Sequence, residues 1–361
     1  SVSHQLRHTD QGEYIDFFIK ESPQRTYLKF GVHYDNLLKT GFLMNYTRNY
    51  FLQSSDFLSL DLIVGDNSRY QFDYFVDKGF YISYGVRSRF MQFERKLNAH
   101  RLSNYRIEGS ELNRMDVEAY DLVNQVYLQT LLGNGFVFGL GAEHRKIRFD
   151  AEQVYGLSTV VSYAENTHFG SLYSYIKYDS LDSTFFPTRG VYFSSQFNLY
   201  AFASDMPNFN KFTTGKTELS FAFPLFYKTA ARVNLEGGVT IGGTNVYSLD
   251  FFLGGNNKNV FGNYSSFYGY DFLSFGAKNY LKSEFVVDIE PFKKQHILLL
   301  ANLAKVDNNL FESFQWHKYP NYSGYGIGYS IDSFLGPVEL KCTYSPEVKQ
   351  AVWLFNIGYW F

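Results

Sequence analysis

Apolar and polar residues alternate one by one along most of this chain, the period that sends successive side chains to opposite faces of a β-strand. Thr26, Leu28, Phe30, Val32 and Tyr34 interleave with Tyr27, Lys29, Gly31 and His33, and Tyr70, Phe72, Tyr74 and Val76 do the same against Arg69, Gln71, Asp73 and Asp77. Phe80, Ile82, Tyr84 and Val86 oppose Ser83, Gly85, Arg87 and Arg89; Val191, Phe193, Phe197 and Leu199 oppose Ser194, Gln196 and Asn198; Tyr325, Ile327, Tyr329 and Ile331 oppose Gly324, Gly326, Gly328 and Asp332. At the carboxyl end, Trp353, Phe355, Ile357, Tyr359 and Phe361 share one side of a last strand. Helical periodicity is nearly absent. Counting these segments predicts sixteen strands, beginning near residues 26, 39, 56, 69, 80, 116, 135, 167, 189, 211, 228, 279, 294, 323, 336 and 350.

The connections between them sort by length. Those after even-numbered strands are short, as at Asp77 to Gly79, Leu132 to Asn134, Leu225 to Tyr227 and Phe334 to Leu335. Several after odd-numbered strands are long: Gln92 to Arg114, Asp150 to Asn166, Gly243 to Lys278 and Val306 to Tyr322. An even antiparallel barrel in a membrane sorts its loops this way and brings both chain ends to one side, whereas a soluble sandwich has no reason to. The predicted fold is therefore all-β, a 16-stranded antiparallel transmembrane β-barrel over residues 26–361 behind a short segment, residues 1–25.

Composition sharpens this picture. Tyr (31) and Phe (38) are abundant while mean hydropathy is slightly negative, which follows if lipid-facing and lumen-facing residues alternate and cancel. No run approaches the roughly 20 apolar residues of a membrane-spanning helix, so any span is built from strands. The formal charge of −2 and the absence of a basic stripe argue against nucleic acid as a partner. Cys342 is the only cysteine and shares a strand face with Val338, Leu340 and Tyr344, so it reads as a lipid-facing hydrophobe and excludes a disulfide framework. The chain starts at Ser1 without Met or a secretory core, and segments upstream are expected. His4 and His8 are the only close histidine pair and lack an acidic third ligand; neither a metal nor a cofactor is expected. Arg87 and Arg89 beside Asp73 and Asp77 are expected to form a cross-strand charge network in the lumen.

Two motifs carry a family resemblance. Tyr178 to Phe197 reads Y-D-S-L-D-S-T-F-F-P-T-R-G-V-Y-F-S-S-Q-F, and its Phe186, Pro187, Thr188, Arg189 and Gly190 resemble the D-x-x-x-F-P-T-x-G turn of Omp85 superfamily barrels. Phe252-Leu253-Gly254-Gly255 followed by Phe267-Tyr268-Gly269-Tyr270 resembles the sixth external loop of those barrels, where a V-R-G-F/Y tip folds into the lumen and its arginine meets acidic wall groups. Tyr268 stands where that arginine would be, and a phenol offers one neutral hydrogen bond in place of a bidentate ion pair. The resemblance thus implies an Omp85-type barrel with the tip inside, Tyr268 set against Glu284 or a neighbour such as Asp288 on a strand whose charged residues face the lumen.

Glu13 to Glu21 resembles the last strand of a POTRA domain, the periplasmic module that precedes such barrels. Residues 26–78 and the closing N-I-G-Y-W-F look most like the carboxyl-terminal barrels of Bacteroidota patatin-like proteins, which implies a patatin hydrolase domain upstream. The chain itself holds no G-x-S-x-G nucleophile elbow, and nothing in its spacing selects a rim Ser-His-Asp set, so it is read as no enzyme. The expected work is anchoring, and translocating, an upstream domain through the lumen and the seam between first and last strands, to which Asn356, Gly358 and Phe361 belong and where Asn356 and Gly358 weaken packing. The alternatives are a factor that assembles or inserts other outer-membrane proteins, and a porin. The expected partners are outer-membrane lipids and lipopolysaccharide, an upstream domain of the same chain, and the barrel assembly machinery during biogenesis.

Overall fold

The computed structural model describes residues 2–9, 12–19, 24–98, 112–133, 135–155, 159–242, 246–256, 261–312 and 314–358. Two short strands, β1 (Val2–Thr9) and β2 (Gly12–Ile19), form a separate antiparallel hairpin. Sixteen strands then close one antiparallel barrel. They are β3 (Thr26–Asp35), β4 (Lys39–Asn49), β5 (Asp56–Gly65), β6 (Arg69–Val76), β7 (Ser83–Asn98), β8 (Leu112–Leu132), β9 (Phe136–Tyr155), β10 (Thr159–Asp179), β11 (Gly190–Ala203), β12 (Phe212–Phe226) and β13 (Thr229–Ile241), followed by β17 (Asn279–Phe292), β18 (Gln295–Asp307), β19 (Tyr322–Ser333), β20 (Gly336–Ser345) and β21 (Gln350–Ile357). Between β13 and β17 lie three small strands, β14 (Phe251–Leu253), β15 (Tyr264–Ser265) and β16 (Phe275–Ala277), in a sheet of their own.

The alternation does what a hydrocarbon surround requires. Leu28, Phe30, Val32 and Tyr34 of β3 are exposed while His33 and Asp35 are buried, and on β19 Tyr325, Ile327, Tyr329 and Ile331 point out while Ser330 points in. Apolar positions are rewarded outside and polar ones inside, the inverse of a soluble core.

Thirteen of the sixteen predicted starts fall within one residue of those observed, so the period-2 reading located the strands; the others begin at Ser83, Leu112 and Thr159. Phe80 and Ile82 are not strand residues but exposed members of the β6–β7 turn. Within the predicted long connection from Asp150 to Asn166, residues 150–155 and 159–166 are instead strand: β9 and β10 pair from Tyr155 with Thr159 down to Val137 with Lys177. The physical reason lies on the outer face. A file of polar side chains crosses β6 to β10: Tyr70 Oη to Ser88 Oγ 3.2 Å, Ser88 to Asn124 2.8 Å, Asn124 to His144 3.4 Å and His144 to His168 3.0 Å. On β9 the outward residue below it is Leu140 and those above it are Lys146 and Arg148, which stand among Phe90, Tyr120 and Leu122 of β7 and β8. Beyond the hydrocarbon an outward residue need not be apolar, so these strands continue into water without the alternation that marks them.

Candidate functional site

The β13–β17 connection turns inward. β14 pairs with β15 in parallel and with β16 antiparallel. Gly254 has φ +144°, and a Cβ there would lie 2.0 Å from the Asp271 carbonyl oxygen, so only glycine fits. Gly255 takes φ +64° and bridges the two arms: its N–H donates to Tyr270 O (3.0 Å), and Phe267 N–H donates to Gly255 O (2.9 Å). The Tyr264 hydroxyl donates to Gly254 O. Phe267 is fully buried against Tyr270 and Phe275, and Phe275 stacks on Tyr322 of β19 at 3.9 Å.

The tip therefore lies within the barrel. Tyr268, 5% exposed, packs on Val286, Leu298, Leu300 and Leu354, side chains of β17, β18 and β21, and Lys341 Nζ stands 5.9 Å from its ring centroid. Its main chain presses so closely on β19 that a Cβ at Gly324 would sit 1.9 Å from Tyr268 O. Gly269, φ +84°, lies as close to β20, with Tyr344 O 2.8 Å from where its Cβ would be. This is shape complementarity more than polar contact; among the described residues the Tyr268 hydroxyl makes no hydrogen bond.

Polar attachment comes one turn earlier. Glu236 of β13 accepts from Ser265 Oγ (2.7 Å), Tyr280 Oη (2.7 Å) and Lys282 Nζ (3.0 Å), and pairs with Lys216 Nζ at 3.1 Å. Lys282 also donates to Ser265 Oγ (3.0 Å), and Lys216 to Tyr264 O (2.6 Å). Glu236 and Lys282 face each other across β13 and β17. Lys282 is buried and the Glu236 side chain is 9% exposed, so their charges are largely withdrawn from water and each depends on the others for compensation. A second attachment reaches the loop from β8, β9 and β10. Arg145 of β9 forms a bidentate pair with Asp121 of β8 (2.7 and 3.0 Å) and donates to Asn263 Oδ1 (3.4 Å); Asn263 in turn donates to the Ser248 and Asp250 carbonyls, and Ser248 Oγ donates to Glu165 of β10 (2.6 Å).

The predicted wall residues are drawn into other pairs. Glu284 accepts from Asn234 Nδ2 (2.7 Å) and lies 4.0 Å from Lys282, and Asp288 pairs with His296 at 2.8 Å. Arg87 pairs with Asp73 (2.5 Å), whereas Asp77 accepts from the Gly79 N–H in the turn.

The second motif closes the other end. Between β10 and β11, Asp182 accepts from the Thr188 N–H (2.8 Å), the Thr188 hydroxyl (2.5 Å) and the Arg189 N–H (3.2 Å). Burial raises the affinity of this carboxyl for a proton, but the Thr188 and Arg189 bonds outweigh it and hold Asp182 below the ordinary carboxylate range. The turn so formed sends Phe186 onto the His296 ring, 3.9 Å between centroids and 7° from parallel. Phe186, Pro187 and Tyr268 line one cavity of about 150 Å³, with Arg232, Asp288 and Lys341 in its wall. Two motifs more than 80 residues apart thus meet in the lumen.

The seam is where first and last barrel strands meet. Among the described residues β21 pairs with β3 through Asn356 with Asp35 and Ile357 with Tyr34. The β3 edge from Thr26 to Gly31 pairs with no strand on that side among the described residues. Above the two pairs, Asn36 bridges the gap with its side chain: Nδ2 donates to Trp353 O (3.0 Å) and Oδ1 accepts from Phe355 N–H (2.8 Å). Gly358, φ +102°, passes so near β3 that a Cβ would lie 2.1 Å from Val32 O. Asn356 is buried and donates to Glu339 at 3.4 Å; Phe361 lies outside the described residues. The reading of the sequence missed Asn36, Lys216, Glu236, Ser265 and Arg145, because a charged or amide side chain at a lumen position looks the same whether it is solvated or clamped. Only register, which sets Glu236 opposite Lys282, separates the two.

A model of the OMP85 superfamily matches residues 13–361. No curated protein matches the chain. Among solved structures it resembles BamA from Haemophilus ducreyi lacking POTRA domains 1-3, at 16% identity and TM-score 0.67, over 99% of this chain and 74% of that one. It also resembles CdiB from Acinetobacter baumannii (12%, TM-score 0.60) and CdiB from Escherichia coli (11%, TM-score 0.60), each over 99% of this chain and over 64% and 67% of theirs. At these identities the likeness is one of fold.

Proposed function

The chain belongs to the OMP85 superfamily, and from that premise we propose that it is a non-catalytic outer-membrane barrel that anchors a polypeptide joined to its amino-terminal side and gives it a route across the membrane. The observation that carries this reading is the pairing of a lumen entered by its own loop with a seam in which, among the described residues, two residue pairs join the strands. A filled lumen suits a gated carrier better than a porin, and a barely paired seam supplies the gate.

The attached polypeptide is, on this proposal, a patatin-like hydrolase domain followed by a POTRA module, of which residues 1–25 are the end. The β1–β2 hairpin supports this. Leu6, Ile15 and Phe17 lie exposed on one face while Arg7 and Asp16 pair on the other, and two strands alone are marginal in water, so the apolar face fits further protein.

The test is a seam staple. Tyr34→Cys with Ile357→Cys, in a Cys342→Ser background, joins facing positions of β3 and β21. Protease accessibility of the attached domain on intact cells is then compared with and without reductant. Oxidation is expected to abolish surface exposure and reduction to restore it, with the barrel inserted in both states. Exposure that ignores the staple would remove the seam from the mechanism.

The β3 edge from Thr26 to Gly31, paired with no strand on that side among the described residues, also favours a second reading, an insertion factor that templates other strands by edge pairing. Depletion decides it: loss of many unrelated barrels from the membrane selects insertion, and loss of the attached domain alone selects the carrier. Large steady currents in a planar bilayer would instead favour a porin.

A further inference from the structure

The two rims of the barrel differ in what they expose. β4, β6, β8, β12, β17 and β19 all run toward the rim from which β3 sets out, and each ends in a large apolar side chain left exposed. Leu52 lies in the β4–β5 turn, Tyr81 in the β6–β7 turn, Tyr227 in the β12–β13 turn and Phe334 in the β19–β20 turn, while Phe292 and Leu132 end β17 and β8. β10 arrives at the same rim, but its turn sends Phe186 onto His296 instead. The opposite rim is built otherwise. Its β5–β6 turn is Asp66, Asn67 and Ser68, and its β3–β4 turn buries Leu37 and Leu38. Among the described residues, the aromatic side chains exposed in its connections belong to the long β13–β17 and β18–β19 segments, Trp316 and Tyr319 among them.

Water does not account for the first rim. Along β12 the outward residues Phe221, Phe223 and Leu225 keep the period of two, and then Phe226 and Tyr227 follow with no polar residue between, so the end of the strand is apolar in both directions. A wall between lipid and water needs alternation, and a turn with neither side in water does not. Tyr50, Phe51 and Leu52 form a run of the same kind, as do Phe80, Tyr81 and Ile82. Cations lie against these rings: Arg25 over Tyr50 and Arg48 over Phe51, each at 5.6 Å, and Lys228 over Tyr227 at 5.7 Å. The nearby carboxylates serve the turns themselves. Asp56 accepts from the Phe51, Leu52 and Gln53 N–H groups, and Asp77 from that of Gly79. Aromatic rings joined to long cationic side chains seat at a membrane interface, the apolar body toward the acyl chains and the charge toward the headgroups. The spread of the turns says the same. They follow β4, β6, β8, β12, β17 and β19 around the closed ring; a folded domain docked on this rim would cover one arc, whereas a bilayer surrounds every strand.

We propose that this rim is seated in the interface of the bilayer leaflet on its side, with its turns inserted among phospholipid headgroups. The barrel is then immersed to its amino-terminal edge, and the extra length of β7 to β10 stands wholly on the other side. The inference rests on the barrel's standing in a membrane and not on what it carries. A rim seated in lipid with no export of an attached domain defeats the carrier reading alone, and export with the rim in water defeats this one alone.

The experiment is hydroxyl-radical footprinting of the full chain in phosphatidylcholine vesicles, read at its native side chains by mass spectrometry. Tyr227 and Tyr319 lie on opposite rims and are 89% and 93% exposed, so their oxidation rates separate only if something outside the chain covers one of them. Tyr81 and Tyr227 are expected to be oxidised at least about fivefold more slowly than Tyr319. Equal rates overturn the proposal. Lipid is told from protein by a nitrobenzoxadiazole label on Phe334→Cys in a Cys342→Ser background, with a label on Ser68→Cys, in the polar β5–β6 turn, as the comparison. Phosphatidylcholine carrying a nitroxide high on its acyl chain is expected to quench the first label at least about twofold more than the second. Slow oxidation together with a label that the nitroxide lipid does not quench assigns the cover to a second copy of the chain and overturns the proposal as well. Footprinting needs no substitution, so the test stands should a labelled variant not fold.

Discussion

The two sides of this barrel are built to different standards. Among the described residues nineteen pairs join β9 to β10, and these strands rise beyond the polar file; two pairs join β21 to β3. A backbone hydrogen bond contributes about 0.5–1.5 kcal/mol net in water, and an unpaired group in hydrocarbon costs more. The tall wall is therefore cooperative, whereas opening the seam breaks little that is not already broken. The loop straddles the difference: ion pairs hold it on the β9–β17 side, and close packing receives it on the β18–β21 side, with hydrogen bonds from Tyr270 Oη to Glu347 (3.0 Å) and from Lys341 Nζ to Asn256 Oδ1 (3.4 Å). A closed barrel can thus keep one hinge rigid and one joint weak with no change of fold.

Breaking the strong side gives the largest expected effect. Arg145→Met leaves Asp121 buried without its cation and frees Asn263, and the expected cost is on the order of 3–5 kcal/mol, read as a lower urea midpoint in detergent. Adding Asp121→Leu should recover most of it, since a buried pair replaced whole is often neutral. A single variant as stable as the parent would show that the pair is solvated. The weak side needs a smaller cut. Asn36→Ala deletes two hydrogen bonds to the β21 backbone, a loss of about 1–3 kcal/mol confined to the seam. Amide hydrogen exchange over residues 353–357 should accelerate about tenfold or more while that of β9 and β10 is unchanged; parallel acceleration in both regions would mean the seam is no separate unit.

The sequence reveals the two sides unequally. Lipid makes the outward residue apolar at every second position, and wherever lipid is, as at β3 to β6 and β17 to β21, the strand starts could be read almost to the residue. Where β9 and β10 leave the membrane, His144, Lys146 and Arg148 occupy outward positions, the period disappears and a hairpin reads as a loop. The loop's entry into the lumen was legible only through its likeness to a family. Tyr268, picked out as the substitute for an arginine, turned attention from Ser265, whose hydroxyl sits between Glu236 and Lys282. A serine carries no pattern, and its importance comes wholly from what register places around it.

Acidity sharpens the contrast within the loop. Asp250 is buried in the external connection, and burial, helped by Glu165 and opposed by Lys278, pushes its carboxyl up to about 7 from an ordinary value of 3.8. The docked loop keeps a proton that the released loop sheds, so docking is favoured below that window and weakens as pH rises from about 4 through about 7. Limited proteolysis within residues 246–266 should then be faster at about pH 8 than at about pH 5.5, and Asp250→Asn should flatten the difference. A pH response that persists in that variant would assign it to another group.

The smallest effect is expected at the residue the sequence made most conspicuous. If Tyr268 acted as a weakened version of an arginine lock, removing its hydroxyl would loosen the tip. The structure gives that hydroxyl no hydrogen bond among the described residues, and seats the ring on Val286, Leu298, Leu300 and Leu354. Tyr268→Phe keeps the ring and is expected to shift loop protection by less than about 0.5 kcal/mol. Tyr268→Ala, which empties the seat, should cost about 3 kcal/mol or more through the cavity it leaves. Protease protection of the loop at fixed pH reads both. Equal losses in the two variants would mean that the phenol holds the tip by a polar bond after all, and the division between a charged grip on one wall and a shaped grip on the other would then have to be given up.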